Sequence, residues 1–127
     1  MIQAYDRKYL LPIPVVDIWF SVPDGYDWQG PFTAVIDSGA DLTIVPLVWL
    51  RQFKAPYFKR AILRTQWSQR QPVALYEVDV RLGDLVFPGI DVAGDVASNE
   101  ILLGRNILNR LDLRLEGPKL RTHILGG

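Results

Sequence analysis

The segment Phe32-Thr33-Ala34-Val35-Ile36-Asp37-Ser38-Gly39-Ala40-Asp41-Leu42-Thr43-Ile44-Val45-Pro46 sets an acidic tripeptide between two apolar runs. Short apolar runs bounded by turn residues read as buried strands. Asp37 then projects from the point where two such strands meet. A carboxylate there is costly unless it is hydrogen-bonded, protonated or put to use. Asp, Ser and Gly are also common turn formers, so the tripeptide alone fits an ordinary strand-ending turn. The apolar flanks argue against an exposed one. Gly39 allows a close backbone approach denied to larger residues, and the Ser38 hydroxyl can bond nearby backbone and stiffen the turn.

Outward from this segment the dominant period is two. Tyr76, Val78, Val80 and Leu82 alternate with Glu77, Asp79 and Arg81, the pattern of a half-buried strand. Leu111, Leu113 and Leu115 alternate with Asp112, Arg114 and Glu116. After Gly117-Pro118 the run Leu120, Thr122, Ile124 does the same, which predicts a C-terminal hairpin with Leu120 to Leu125 as a candidate edge. Val15 to Val22 and Leu85 to Val92 are further strands, the second entered by a turn at Gly83-Asp84. Pro23-Asp24-Gly25 opens a loop that closes at Gly30-Pro31. Helix is scarce. Leu47 to Phe53 can make two turns, and Arg105 to Leu111 places Ile107, Leu108 and Leu111 on one face. Nine prolines and ten glycines scattered between short strands fit an all-β closed barrel with one short C-terminal helix.

At 127 residues the chain suits a single domain, 1–127, able to bury a core without staples. Fourteen basic and fourteen acidic side chains give no net charge, which argues against a broad nucleic-acid surface. With no cysteine there can be no disulfide, thiol nucleophile or cysteine-based zinc site, and the single His123 cannot build a histidine cluster. No cofactor or metal is expected. No stretch approaches the ~20 apolar residues of a membrane span. Met1 to Lys8 carries polar residues where a secretory leader would have an apolar core, so a cytoplasmic protein is the expectation.

Two motifs together resemble the retropepsin-like aspartic proteases, over roughly residues 10 to 117, and a flap segment without glycine suggests a cellular single-domain member. AVIDSGADLTIVP (residues 34–46) is similar to that family's active-site segment, and EILLGRNILNRLDLRLE (residues 100–116) to its second signature. The resemblance implies an acid-protease barrel in which Asp37 is the catalytic carboxylate. Ser38 would lock the active-site turns of two subunits together, and Gly39 would help bind substrate backbone. Ala40 continues the turn. Asp41 and Arg105 would form an ion pair beside the site, although exposed charges of this kind are often plain surface. Leu103 and Gly104 would pack beneath Asp37. Ala61 to Thr65 and Val73 to Leu82 would form the flap hairpin, its tip near Gln66, Trp67, Ser68, Gln69 and Arg70. RTQWSQRQP (residues 64–72) has no glycine, unlike viral flaps, and Trp67 can either close over substrate or pack on the barrel. The rings of Tyr26 and Trp28 can line the cleft or cover the core.

The chain has no second Asp-Ser/Thr-Gly. Two carboxylates sharing one proton are needed to activate water and protonate the carbonyl oxygen. The expectation is therefore a homodimeric aspartic endopeptidase acting on peptide or protein substrate, with each subunit supplying Asp37. The alternative is a peptide-binding or dimerisation module of the same fold with weak or no turnover. A serine hydrolase is disfavoured because Ser38 lacks the Gly-x-Ser-x-Gly elbow, and His123 reads as an exposed residue of the last strand.

Overall fold

A computed structural model describes residues 1–25, 27–64 and 70–127. Among these residues the alternating and continuous apolar runs become ten strands, as their periodicity requires. They are β1 (Ile2–Ala4), β2 (Val15–Ser21), β3 (Gln29–Ile36), β4 (Thr43–Pro46), β5 (Tyr57–Arg64), β6 (Arg70–Leu82), β7 (Leu85–Asp95), β8 (Ile101–Leu103), β9 (Asp112–Glu116) and β10 (Arg121–Gly126). Two short helices join them, α1 (Leu47–Gln52) and α2 (Arg105–Leu108), so the second helical stretch forms as well as the C-terminal one. A 3₁₀ turn, Gly117–Lys119, connects β9 to β10.

One sheet runs β2-β3-β8-β4-β7-β6 and closes when β6 returns to pair with β2, Trp19 opposite Arg81. Strand β5 hangs on the outer side of β6. Within the barrel β8 lies parallel to β3, and β4 parallel to β7, so distant parts of the chain are brought side by side. Val16, Ile18, Phe20, Val45, Val78, Val80, Val92, Leu103 and Ile107 are buried in the interior. Phe20 stacks on Phe53 (5.7 Å between ring centroids), and Trp49 packs on Phe32 (5.0 Å). Each fully buried large apolar side chain contributes roughly 1.5–3 kcal/mol, so this cluster is the main source of stability.

Several expectations change in three dimensions. Strand β3 begins at Gln29, so Gly30-Pro31 lies inside the strand and does not close the preceding loop. The polar side of β6 is not all solvated: Asp79 is buried, accepting the N–H of Gly89 (2.8 Å) and of Asp24 (3.2 Å). The last strand is not an edge. In a three-stranded sheet ordered β1-β10-β9 it takes the centre, because the N-terminal residues pair along it, Ile2 opposite His123. The open edges of that sheet are β1 and β9. His123 is half-buried there and lies 3.6 Å from the Glu116 carboxylate. The Trp28 ring is half-buried and, with that of Trp19, flanks the Arg81 guanidinium, at 5.2 and 4.8 Å respectively. Tyr26 lies outside the described residues.

Candidate active site

Strand β3 ends at Ile36 and delivers Asp37 to the end of the barrel. The register is held on both sides: the Ile36 N–H donates to the Pro14 carbonyl (3.1 Å) and the Asp37 N–H to the Leu103 carbonyl (3.1 Å). The chain then turns, with the Ala40 N–H donating to the Asp37 carbonyl (3.2 Å). Oδ1 of Asp37 accepts the Gly39 N–H at 3.0 Å, which fixes the carboxylate against its own turn. A Cβ on Gly39 would sit 3.2 Å from that oxygen, so any side chain here crowds the carboxylate. Asp37 is half-buried, while Ser38 and Gly39 are exposed. Among the described residues the Ser38 hydroxyl makes no hydrogen bond within the chain.

Beneath the turn, β8 runs directly into α2. Gly104 packs against the backbone at the entry to β4; a Cβ there would lie 2.4 Å from the Leu42 carbonyl. Only glycine fits so close a crossing of two chain segments. The Gly104 N–H donates to the Thr43 hydroxyl (3.1 Å), which donates in turn to Oδ1 of Asn106 (2.9 Å). That oxygen also accepts the Thr43 N–H (2.9 Å), and the Asn106 amide donates to the Asp91 carbonyl (2.8 Å). Thr43 is buried, so this network satisfies groups that would otherwise be stranded. The Arg105 guanidinium donates to the Ser38 carbonyl (2.8 Å) and pairs with the Asp41 carboxylate. The Arg105 N–H reaches the Ala40 carbonyl (2.9 Å). The two quoted motifs thus meet in space: Asp37, Ser38, Ala40 and Asp41 from one, Leu103, Gly104 and Arg105 from the other.

The turn opens onto a cleft of about 350 Å³. One wall is Gly39 to Leu42 with Ile44 and Leu47, and another is the end of β7 from Ala93 into Val96. The third is the β5–β6 hairpin, contributing Leu63 and residues 71–74. That hairpin is longer than the sequence implied, with Arg64 opposite Arg70 in register. Arg70 opens β6 and is exposed; the flap-tip positions Gln66, Trp67, Ser68 and Gln69 lie outside the described residues.

Sequence reasoning missed Thr43 and Asn106 as parts of this site. The adjacency of Asn106 to Arg105 in the second motif was the available signal; Thr43 offered none beyond a polar residue in an apolar run.

A family model described as retroviral aspartyl protease matches residues 12–116. The chain belongs to that family. The match includes the Asp37 turn, the β5–β6 hairpin, the end of β7 and the β8–α2 junction, so all three walls of the cleft lie within the matched residues. Among solved structures, a retropepsin-like aspartic protease from Rickettsia conorii is similar, with a TM-score of 0.65 and 16% identity over 98% of this chain and 88% of that one. At that identity the likeness speaks for the fold. A Legionella pneumophila protein of unknown function aligns less well, with a TM-score of 0.44 and 16% identity over 76% of this chain and 88% of that one. Among curated proteins none matches the chain. No helix among the described residues is long and apolar enough to cross a membrane.

Proposed function

We propose that this member of the retroviral aspartyl protease family is an aspartic endopeptidase, working as a homodimer of the 1–127 unit, in which the two Asp37 carboxylates share one proton. The observation that carries this reading is the Asp37 turn itself. Its carboxylate is held by the N–H of Gly39, a residue that lines the cleft, on backbone clamped from below by Leu103, Gly104 and Arg105. A single rigid carboxylate can take a proton from water or give one to a carbonyl oxygen, but not both at once. Two brought together by a twofold axis divide those tasks, because like charges that close do not both ionise readily. Exposure of Ser38 and Gly39 supports placing the axis beside this turn. In this reading the Ser38 hydroxyl bonds across to the partner's turn. Arg105 and Asp41 position that turn, and the extended substrate lies between it and the hairpin of β5 and β6 as an added strand.

The second reading, a peptide-holding module of the same fold with little turnover, is favoured only by the glycine-free segment 64–72. A complex peptide library incubated at acidic to neutral pH with the parent and with Asp37→Asn separates the two. The peptidase reading expects cleavage by the parent and none by an equally folded variant. Cleavage by both would remove Asp37 from the mechanism, and cleavage by neither would leave the module.

A further inference from the structure

The cleft is lined mostly by apolar residues, Ile44, Leu47, Val73 and Ala93 among them, yet two acidic residues, Asp41 and Asp95, also line it. Among the described lining residues there is no basic side chain. The two acids are not equivalent. Asp41 is paired with Arg105, so its charge is balanced within the chain. Asp95 is half-buried at the end of β7. One of its oxygens accepts the Ala97 N–H (2.9 Å), and no cation among the described residues pairs with it. An occupant lying against this wall displaces water from the cleft side of Asp95.

From this geometry we infer that the cleft selects peptide segments carrying lysine or arginine, the aliphatic stem lying on the Ile44–Leu47–Ala93 surface and the cationic end meeting Asp95. Three kinds of side chain compete for the space. A purely apolar one buries the floor but leaves a desolvated carboxylate without a partner, which is costly. An acidic one adds like-charge repulsion. Only a long side chain with an apolar stem and a cationic tip satisfies both surfaces. This inference rests on the proposed peptidase reading for the location of the substrate, and it adds which substrates are taken.

Asp95→Asn is the suitable variant because an amide oxygen can still accept the Ala97 N–H, so the loop keeps its turn. The substrates are peptide pairs differing only by lysine or norleucine at one position, scanned along the chain. In the parent, kcat/KM at one position should favour lysine over norleucine by about tenfold, the scale of a hydrogen bond to a charged group. Asp95→Asn should remove that ratio, and Asp95→Lys should shift the preference to glutamate. The same peptides, immobilised, are probed for retention of the Asp37→Asn protein with and without the Asp95 change, which reads selection without turnover. Cleavage by the parent with no lysine preference, or a preference untouched by Asp95→Asn, overturns the inference and leaves the peptidase reading intact. Absence of cleavage together with lysine-selective retention that needs Asp95 does the reverse. Absence of both overturns the two together.

Discussion

At the residue scale the site is one carboxylate held by the Gly39 N–H, with close backbone contacts beneath it. Thr43 carries more of this than its size suggests, since its hydroxyl accepts from Gly104 and donates to Asn106 in a buried spot. Thr43→Val keeps the shape but leaves the Gly104 N–H without its acceptor. The expected cost is about 1–3 kcal/mol, read as a lowered urea midpoint with an unchanged slope. Gly104→Ala tests the crossing directly. Its methyl group would meet backbone atoms of Leu42 and Thr43 at 2.4 to 2.8 Å, and backbone cannot swing aside as a side chain can. Destabilisation of at least about 1–3 kcal/mol is expected by the same denaturation assay. On the proposed reading, any folded Gly104→Ala protein should also lose activity, because Asp37 sits directly on this crossing.

At the element scale, the β9–β10 hairpin gathers charge around Glu116. Arg121 donates to its carboxylate (3.1 Å), with Lys119 at 3.7 Å and His123 at 3.6 Å. Partial burial pushes the Glu116 carboxyl up, but the Arg121 hydrogen bond and the charges of Arg121, Lys119 and His123 together hold it below the usual 4.5. The sign of the pH effect follows. A carboxyl depressed in the folded state adds stability above about pH 4.5, and that share is lost as pH falls through the lower folded value. Glu116→Gln should therefore lower Tm at neutral pH, with the gap to the parent narrowing in acid. A gap that stays constant from pH 7 to pH 3 would show that Glu116 acts through packing instead of charge. The pairing matters because β10 is the central strand of the terminal sheet and orders β1 as well.

At the scale of the whole molecule, the proposed chemistry needs two chains. Specific activity should fall on dilution, faster than in proportion to any loss of protein. Mixing parent with an equal amount of Asp37→Asn, and allowing subunits to exchange, gives a sharper measurement. Random pairing leaves about a quarter of the dimers with two Asp37 residues, so activity per total protein should fall to about a quarter of the parent's. A fall to only about half, per total protein, would show that each chain works alone. With β10 enclosed, the free strand edges of the terminal sheet, among the described residues, are those of β1 and β9.

What could be read without coordinates was local. The position of Asp-Ser-Gly at a strand end, the period of β6 and of the C-terminal hairpin, and the scarcity of helix all follow from side-chain alternation and turn chemistry, which act over a few residues. The resemblance carried by two motifs extended this to the pairing of Asp41 with Arg105, which the structure contains. Partners far apart in the chain were not readable in that way. Thr43 and Asn106 stand 63 residues apart, and Asp79 meets Asp24 across 55. The placing of Ile2–Ala4 beside β10, which makes a presumed edge a central strand, is of the same kind. Such choices depend on which surfaces remain to be covered once the barrel has closed, and no window of sequence contains that information.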